Sequence, residues 1–369
     1  MKILYIANIR LPTEKAHGVQ IMKMCEAFAD LGHKVELVLP WRFNPIKENI
    51  FEYYNVRKNF KIKKILSFDL IWLGKVGFWI QSLTFAKLAA WYAFFKKTDA
   101  IYSRDELPIF YLSFFKKNIF WETHTGQYNF FVKQLLKRRV GIVAITEGLR
   151  NFYIKKGVDS EKIIVAPDGI DLTDFLNKFD KVSVRKELGL PLDKKIALFI
   201  GRLDGWKGAE TLLAASRLLP QHIQVVLIGG EPQEVSRLKK EYQQAIFLGF
   251  LPYRELAKNQ TAADVLILPN SGKNEVSANF TSPLKLFAYM ASGRPIVTSD
   301  LPSIREVLNE NNAFFFESDN PKSLAEAIGA ILRDDGLSDK ISKQASLDVK
   351  KYTWVKRAEK ITDFIKSIE

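Results

Sequence analysis

The order of apolar and polar positions along the chain predicts short strands that alternate with longer helices. Residues 1–7 form an apolar run, residues 18–31 have a helical period, and residues 34–40 form a second apolar run. Together these segments predict one βαβ unit, the building block of a parallel sheet wound with helices. Thr146 is placed to cap a helix that extends to Tyr153. Further strands of this first block are predicted at 100–103, 119–121 and 142–145.

A polar and charged segment without a clean period separates this block from a second block of the same kind. We therefore predict a domain of residues 1–175, a linker of residues 176–192 and a second domain of residues 193–353. The closing segment 354–369 is amphipathic and is expected to pack back toward the first domain. The second block contains strands predicted at 196–200, 224–228, 246–249, 265–268 and 296–299, and helices predicted at 208–219, 235–243, 283–291 and 322–332.

These elements predict the α/β class, with two doubly wound, Rossmann-like domains. In such domains ligands bind beyond the carboxyl ends of the strands. With two domains in tandem, we expect a site across the cleft between the two sheets. The loops that directly follow strands are therefore the places to look for functional residues.

The composition of the 369 residues excludes a disordered chain, because 47% are hydrophobic and 12% are aromatic. The one cysteine, Cys25, cannot form an internal disulfide, and no Cys and His cluster has the spacing of a zinc site. The first apolar run is too short for a secretory signal, and no uncharged run reaches the length of a membrane-spanning helix. We expect a cytoplasmic protein without a resident metal or other cofactor.

The formal net charge of +14 favours an anionic partner. Residues 57–97 hold nine basic side chains and one acid, Asp69, together with many aromatic residues that include Trp72, Trp79 and Trp91. Such a stretch is typical of a helix lying in the interface of an anionic membrane, here the inner face of the plasma membrane. A buried helix with solvated flanks explains it equally well. A nucleic-acid partner is not expected, because the aromatics lie within apolar runs rather than in an RNA-binding motif.

The segment GRLDGWKG, residues 201–208, follows a predicted buried strand and opens a helix. It carries Arg202 and Lys207, and the free backbone N–H groups of the helix start add a positive dipole end. Two cations over a helix terminus suit a diphosphate, since each charge-assisted contact is worth about 1.5–3 kcal/mol. Surface Arg and Lys are also common in such loops, so the residues by themselves leave both interpretations open.

Several motifs occur in order along nearly the whole chain: HGVQ, FWETH, AITEGLRNFYIKKGV, KIIVAPDGID, FIGRLDGWKG, VVLIGG, ADVLILPNS and SPLKLFAYMASGRPIVTSDLPSIREVL. With these motifs the sequence resembles the retaining glycosyltransferases of family four, which have the GT-B fold of two Rossmann-like domains facing each other across a cleft. The resemblance implies transfer of a sugar from a nucleotide diphosphate sugar to a cell-surface polysaccharide, lipid-linked or other glycan acceptor, with retention. It also implies that fixed cations, rather than a metal, stabilise the leaving phosphates.

The resemblance assigns donor binding to the second domain. The basic pair of the family's GR-xxxx-K motif falls on Arg202 and Lys207, which would grip the pyrophosphate as catalytic residues beside Gly201. Ser282 is expected to cap the next helix, with Pro283 in its first turn. In the alternative interpretation, this Ser-Pro pair only starts the helix. The other donor-side positions implied are Phe250 near the base, Glu275, Thr281, Leu284 and Ala288.

The resemblance assigns the acceptor to the first domain. His124 of the FWETH motif, with Glu122 nearby, falls where the family faces the transferred sugar and is implied to be catalytic. The loop of His17 and Gly18 falls at the same place. Arg104, beyond the strand that ends at position 103, is expected to contact an anionic acceptor. A purely structural role is the alternative for His124.

The sequence departs from the family at two positions. The family commonly carries two glutamates eight positions apart, the second in a phrase like FEYMA, and this chain has Phe280 and Ala288 there. Loss of two ribose hydrogen bonds, at roughly 1.5–3 kcal/mol each, would weaken donor binding by two orders of magnitude or more. The alternative function is therefore a catalytically impaired GT-B scaffold that binds a nucleotide or a partner protein. Glu275 compensates in one interpretation and is merely solvated in the other.

Overall fold

The computed structural model describes residues 1–138, 140–203 and 205–368. Asp204 of the GRLDGWKG motif and Glu369 of the predicted closing helix lie outside the described residues. The chain divides into two compact units. Unit 1 comprises the chain up to Pro167 together with the chain from Trp354 onward, and unit 2 is Asp168–Thr353.

Unit 1 is built on a parallel sheet. Within the described residues its strands are β1 (Lys2–Ile6), β2 (Lys34–Pro40), β3 (Lys61–Ile65), β4 (Ala100–Ser103), β5 (Ile119–Thr123), β6 (Gly141–Ala144) and β7 (Ile163–Val165). They lie in the order β3-β2-β1-β4-β5-β6-β7, and every neighbouring pair is parallel. The order reverses between β1 and β4, and ligands of doubly wound sheets bind beyond the carboxyl ends at such a point.

Helices connect these strands and cover the sheet. They are α1 (Ala16–Asp30), α2 (Ile50–Tyr53), α3 (Gly74–Phe94), α4 (Glu106–Leu112), α5 (Phe130–Leu136) and α6 (Glu147–Lys155). Thr146 caps α6, since its hydroxyl oxygen accepts a hydrogen bond from the Leu149 N–H group. This confirms the predicted cap.

Unit 2 repeats the same architecture. Within the described residues its strands are β8 (Lys195–Ile200), β9 (Ile223–Ile228), β10 (Ile246–Gly249), β11 (Val265–Leu268), β12 (Ile296–Ser299) and β13 (Phe314–Phe316), in the order β10-β9-β8-β11-β12-β13. The reversal lies between β8 and β11. The helices are α7 (Lys181–Glu187), α8 (Ala209–Ser216), α9 (Pro232–Glu241), α10 (Leu256–Gln260), α11 (Leu284–Ala291), α12 (Pro302–Arg305), α13 (Pro321–Arg333) and α14 (Asp335–Asp348).

The core of unit 2 lies on both faces of its sheet. Successive strand residues point to opposite faces, so β8 contributes Ile196 and Leu198 to one apolar cluster and Ala197 and Phe199 to another. The first cluster includes Phe287 of α11, and the second includes residues of α8 and α13. A strand covered on both faces reads as a continuous apolar run, which is why β8 was predictable.

The boundary between the units differs from the predicted linker of residues 176–192. That segment contains α7, whose Val184 is buried in the unit 2 core. Arg185 donates to the Ala262 carbonyl and to the Asp264 carboxylate. Arg185 is thus bound within unit 2, and the chain changes unit after Pro167 instead. The closing helix α15 (Trp354–Ile368) lies in unit 1 and packs against α1.

The structure confirms the predicted α/β class and adds strands that the sequence pattern did not predict, namely β3, β7 and β13. β3 has the sequence KIKKI, and its three lysines are exposed at the edge of the unit 1 sheet. Lysines on an edge strand discourage pairing with other chains, and they also hide the apolar alternation. Among the described residues, no helix is both long and apolar enough to cross a bilayer.

Candidate functional site

A cavity of about 300 Å³ lies at the carboxyl edge of the unit 1 sheet, where the strand order reverses. The loops after β1, β4 and β5 supply most of its lining. His17, Arg104 and His124 all line it, so the structure brings three of the four predicted acceptor-side residues together. The site lies where a doubly wound sheet is expected to bind ligand.

Glu122 is the centre of a buried hydrogen-bond network under this cavity. Its side chain is 0% exposed, and its Oε1 atom accepts from His124 Nε2 at 2.5 Å and from Gln20. Its Oε2 atom accepts from the Tyr102 hydroxyl and lies 2.9 Å from Nη2 of Arg357. The carboxylate is therefore bound from α1, β4, the loop after β5 and α15, and it fixes the orientation of the His124 ring.

The surrounding charges determine the protonation of this pair. Burial raises the pKa of Glu122, but Arg357, the hydrogen bond from His124 and the charge of Arg104 outweigh burial and hold the pKa well below its usual value. Burial and then repulsion from Arg104 lower the pKa of His124 to about 4, against the raising effect of Glu122. At neutral pH Glu122 is ionised and His124 is neutral. Because a carboxylate only accepts, the His124 proton is on Nε2, and Nδ1 is an acceptor.

Arg104 links the other predicted residues of the cavity. It donates from Nη1 to Gln20 Oε1 at 2.6 Å, and the same Gln20 donates to Glu122. Burial and then the charge of Arg104 lower the pKa of His17 to about 4, so this ring is also neutral at neutral pH. The cavity thus combines a guanidinium with two neutral imidazoles, a set of groups that can bind sugar hydroxyls and an anionic substituent.

The predicted loop of His17 and Gly18 is instead the first turn of α1. Gly18 is buried, and a Cβ atom there would lie 2.4 Å from the Tyr54 hydroxyl oxygen and 2.8 Å from Thr13 Cγ2. Gly18 is not among the residues that line the cavity. Its small size is required for packing against Tyr54 and Thr13, while its predicted contact with the acceptor stays a prediction.

Sequence reasoning missed Arg357 and Gln20. Arg357 also donates from Nε to the carbonyl of Pro167 at 2.9 Å, and it is 5% exposed. The available signal was its position: it lies three residues after Trp354 and four before Ile361, on the apolar face of an amphipathic helix. An arginine on such a face needs a buried anion. Gln20 carried no comparable signal, because a polar residue early in a helix is usually solvated.

The GRLDGWKG loop leaves the carboxyl end of β8, where the order of the unit 2 sheet reverses. Gly201 has φ of 151° and Gly208 has φ of 76°, and a Cβ atom on Gly208 would lie 1.6 Å from the Pro269 carbonyl oxygen. Arg202 is exposed. Lys207 is half-buried, with its Nζ atom 3.5 Å from the centre of the Trp206 ring. Both predicted cations therefore lie on the loop that follows the central strand.

A third cation, which sequence reasoning missed, lies at the same edge of unit 2. Lys285 comes from α11, and its Nζ atom is 3.5 Å from the point that a Cβ atom on Gly201 would occupy. The Lys285 ammonium lies over the Phe199 ring, 4.0 Å from its centre. The signal was present in the motif SPLKLFAYMA, where this lysine lies one helical turn before Ala288.

Ser282 does not cap α11, which corrects the prediction. Its Oγ atom accepts a hydrogen bond from the Asp168 N–H group at 3.0 Å, and the N-cap position is Pro283. The Ser282 hydroxyl therefore binds a distant backbone N–H group instead of the helix end that the local sequence predicts. Thr281, Ser282 and Pro283 are buried, and Leu284 is half-buried.

The two positions that depart from the family pattern lie inside unit 2. Ala288 is 0% exposed and belongs to the apolar core, and Phe280 is 6% exposed. Glu275 is exposed, directly before the π-helical turn Val276–Phe280. Phe250 is 51% exposed and follows β10. The glutamate positions are therefore filled by apolar packing.

Helix α3 buries a face of mostly small and polar residues together with Phe85, and exposes most of its aromatic residues. Gln81 donates to Asn8 Oδ1 at 2.8 Å, and Asn8 donates to Ser82 Oγ at 3.1 Å. Trp79 and Trp91 are 50% and 68% exposed. Helix α3 is therefore buried along one face only and exposes the other. The buried positions of α3 are Gly77, Gln81, Ser82, Phe85, Ala86, Ala89 and Ala93.

The exposed aromatic side chains continue beyond α3. The Phe94 ring packs edge-on against Phe115, and Phe114 packs against Phe115 and against Phe110. We use the term aromatic face for the exposed residues Trp72, Val76, Phe78, Trp79, Trp91, Phe94, Phe95, Phe114, Phe115 and Phe130. Exposed lysines of the same region are Lys61, Lys63, Lys64, Lys75, Lys87, Lys97 and Lys117.

Two known protein families match the chain. The family described as Glycosyltransferase Family 4 matches residues 17–174, and the one described as Glycosyl transferases group 1 matches residues 194–334. The chain belongs to glycosyltransferase family 4. The first match falls mostly in unit 1 and the second falls in unit 2, so the resemblance drawn from the motifs is confirmed along most of the chain.

Relatives of this family-4 chain have diverse names. It is 28% identical over 222 residues to a D-inositol 3-phosphate glycosyltransferase of Xylanimonas cellulosilytica, covering 56% of this chain and 52% of the relative. It is 28% identical over 198 residues to a Bacillus subtilis glycosyltransferase whose name places it in teichuronic acid biosynthesis, covering 52% of this chain and 48% of the relative. The matched region thus spans about half the length of these curated relatives.

Solved structures show the fold of this family-4 protein. The structure of HepE from Anabaena, solved with UDP and glucose, is similar over 100% of both chains, with a TM-score of 0.79 and 16% identity. Together with the two parallel sheets, this similarity shows the two-domain, Rossmann-like GT-B fold that the motifs predict.

Proposed function

We propose that this protein is a retaining glycosyltransferase that moves a sugar from a nucleoside diphosphate sugar to a cell-surface polysaccharide, lipid-linked or other glycan acceptor. The observation that carries the proposal is the loop beyond β8, which presents Arg202 and Lys207 at the point where the unit 2 sheet reverses. The names of the HepE complex and of the Bacillus subtilis relative support the donor class and the acceptor class respectively.

The proposed chemistry needs charge stabilisation at the leaving group. The bond between the anomeric carbon and the phosphate oxygen breaks, the acceptor oxygen bonds to that carbon, and the acceptor proton leaves with the nucleoside diphosphate. Negative charge grows on the phosphate oxygens as the bond breaks, so fixed cations stabilise the transition state more than the ground state. Arg202 and Lys207 would supply this stabilisation without a metal.

The unit 1 cavity is suited to the sugar and the acceptor. His124 is held by Glu122 as a neutral ring with a fixed tautomer, so its Nδ1 atom can accept from a sugar hydroxyl. Arg104 would bind an anionic substituent of the acceptor, such as a phosphate or a carboxylate. In this proposal His124 positions the transferred sugar, and Arg104 selects the acceptor.

A screen of nucleoside diphosphate sugars tests the proposed activity. Incubation with UDP-, GDP-, ADP- and dTDP-sugars is expected to release the nucleoside diphosphate from one donor class, detected by mass spectrometry. The same donor is expected to raise the unfolding temperature, because a ligand at 100 times its Kd stabilises by about 2.7 kcal/mol. Absence of both release and stabilisation with every donor would contradict the proposal.

The second candidate function is a GT-B scaffold that binds a nucleotide without turnover. The burial of Phe280 and Ala288 in apolar surroundings favours it, because neither position offers a carboxylate to the ribose. The same screen separates the two functions: stabilisation by a nucleotide without any release of product identifies the scaffold.

We further propose that the aromatic face rests on the anionic inner face of the plasma membrane. The aromatic face brings ten large apolar side chains to the surface of unit 1, and large exposed apolar patches commonly mark a protein or membrane contact. Tryptophan and phenylalanine insert at the boundary between headgroups and acyl chains, while nearby lysines attract anionic lipids. On the opposite side of α3, Gln81 and Ser82 form hydrogen bonds with Asn8, so the inner face of the helix is held to unit 1 while the aromatic face is exposed.

Replacing both Trp79 and Trp91 with serine is expected to weaken vesicle binding by about 100-fold, or about tenfold for each partly buried tryptophan. Co-sedimentation with vesicles containing phosphatidylglycerol measures this, and binding is expected to fall as salt rises. The matched control is Leu347→Ser, which removes an exposed apolar side chain of unit 2. Equal binding of the wild type and the double variant would exclude a membrane contact at this face.

A further inference from the structure

The Lys285 amine is buried at a place where no described residue hydrogen-bonds to it. Burial lowers the pKa of this amine well below its usual value, and the positive charge of Lys207 lowers it further. Contact with the Phe199 ring offsets only a part of the desolvation, because the ring's negative face attracts a cation more weakly than a carboxylate does.

The strand end beside Lys285 carries glycine and is closely packed. Gly201 follows β8 directly, and a Cβ atom there would lie 3.5 Å from the Lys285 Nζ atom. Gly229, which follows β9, packs against Gly201, since a Cβ atom on it would lie 2.2 Å from the Gly201 carbonyl oxygen. The Lys285 amine therefore lies beside the first residue of the GRLDGWKG loop, which also carries Arg202 and Lys207.

The helix that carries Lys285 supplies no carboxylate to it at the next turn. Ala288 lies three residues later, at the spacing where an acidic side chain would meet a lysine on the helix surface. A glutamate at this position would be placed to neutralise Lys285. Alanine cannot neutralise Lys285. Because the Lys285 and Lys207 amines repel each other, an anion with more than one negative charge is suited to bind both.

We propose that Lys285 is a third cationic ligand of the donor's diphosphate, acting together with Arg202 and Lys207. The proposal rests on the proposed function, because it takes a nucleoside diphosphate as the ligand of unit 2. The Lys285 ammonium would leave the Phe199 ring and donate to a phosphate oxygen above Gly201. Because position 288 is alanine, no carboxylate on the next turn of α11 binds the Lys285 ammonium, which can therefore bind the phosphates.

Lys285→Met tests the proposal, with opposite effects expected on affinity and stability. Methionine has a similar shape without the charge, so removal of a buried unsatisfied ammonium is expected to leave the unfolding temperature unchanged or higher. Affinity for the nucleoside diphosphate is expected to fall about 10- to 100-fold, the effect of one lost charge-assisted hydrogen bond. Calorimetry with UDP, GDP, ADP and dTDP measures the affinity, using whichever of them the wild type binds most tightly.

The control variant is Lys195→Met, which removes an exposed lysine at the opposite end of β8. It is expected to keep the wild-type affinity. If Lys285→Met binds the diphosphate as tightly as the wild type, the role of Lys285 is overturned while the proposed function stands. A lower unfolding temperature for Lys285→Met would show that the lysine is structural and would also overturn it. If the wild type binds none of the four nucleotides, the proposed function fails and this proposal fails with it.

Discussion

Replacing Arg357 with methionine is expected to destabilise unit 1 by about 3–5 kcal/mol, the usual effect of removing one partner from a buried ion pair. Arg357 Nη2 lies 2.9 Å from Glu122 Oε2, and the two side chains are 2% and 0% exposed. Methionine can fill much of the space but cannot neutralise the carboxylate. The variant therefore either keeps an uncompensated charge in the core or protonates Glu122, and both outcomes weaken the hydrogen bond that orients His124.

The same replacement is expected to change the pH dependence of stability. In the wild type the pKa of Glu122 is lower in the folded state than in the unfolded state, so its contribution is present at neutral pH and is lost on acidification below the usual carboxyl range. Without the guanidinium, burial becomes dominant and raises the pKa, so the folded variant binds the proton more readily than the unfolded one. The stability difference between wild type and variant should therefore shrink as the pH falls from 7 to 5.

Hydrogen exchange of the β5 and β6 amides measures this effect in unit 1, because a chain of two units does not yield a single unfolding free energy. Lys360→Met is the control, since it removes an exposed charge from the same helix. Adding Glu122→Gln to Arg357→Met is expected to recover part of the loss, because the orphaned charge is then absent. Unchanged protection of β5 in Arg357→Met would contradict the role of the ion pair.

The sequence predicts the sheets well because buried parallel strands are continuous apolar runs. β8 was predicted as residues 196–200 and is Lys195–Ile200, and β11 was predicted with its observed bounds. β3 was missed because three of its five residues are lysines. Edge strands need only one covered face, so their sequences carry a weaker signal than central strands do.

The candidate site residues in loops after strands were predictable from the sequence. Those that reach the site from distant helices were not. His124 and Arg202 lie in loops that come shortly after predicted strands, and the resemblance to the family assigns roles to both. Arg357 reaches Glu122 from a helix more than 200 residues later in the chain, and Lys285 reaches Gly201 from α11. Contacts between distant segments leave no periodicity in the sequence. Ser282 shows the reverse case, in which a correct local preference is overridden by the Asp168 backbone.

Replacing Lys207 with alanine is expected to lower turnover of the donor by about 100- to 1,000-fold, the usual effect of removing one group that stabilises a developing negative charge. Binding of nucleoside diphosphates is expected to fall less, by about 10- to 100-fold, because the charge on the phosphates is greater in the transition state than in the bound donor. Lys207 is half-buried against Trp206, so its ammonium is confined to one part of the loop. A mobile surface lysine would give no such difference between turnover and binding.

Calorimetry with UDP, GDP and ADP measures the binding, and release of nucleoside diphosphate from the active donor measures the turnover. Lys239→Ala, which removes an exposed lysine of α9, is the control for the loss of one positive charge from unit 2. An unchanged affinity in Lys207→Ala would refute the assignment of the pyrophosphate to the GRLDGWKG loop. Equal losses in binding and turnover would instead show that Lys207 holds the donor without stabilising the departure of its phosphates, because uniform binding of both states leaves the chemical step unaccelerated.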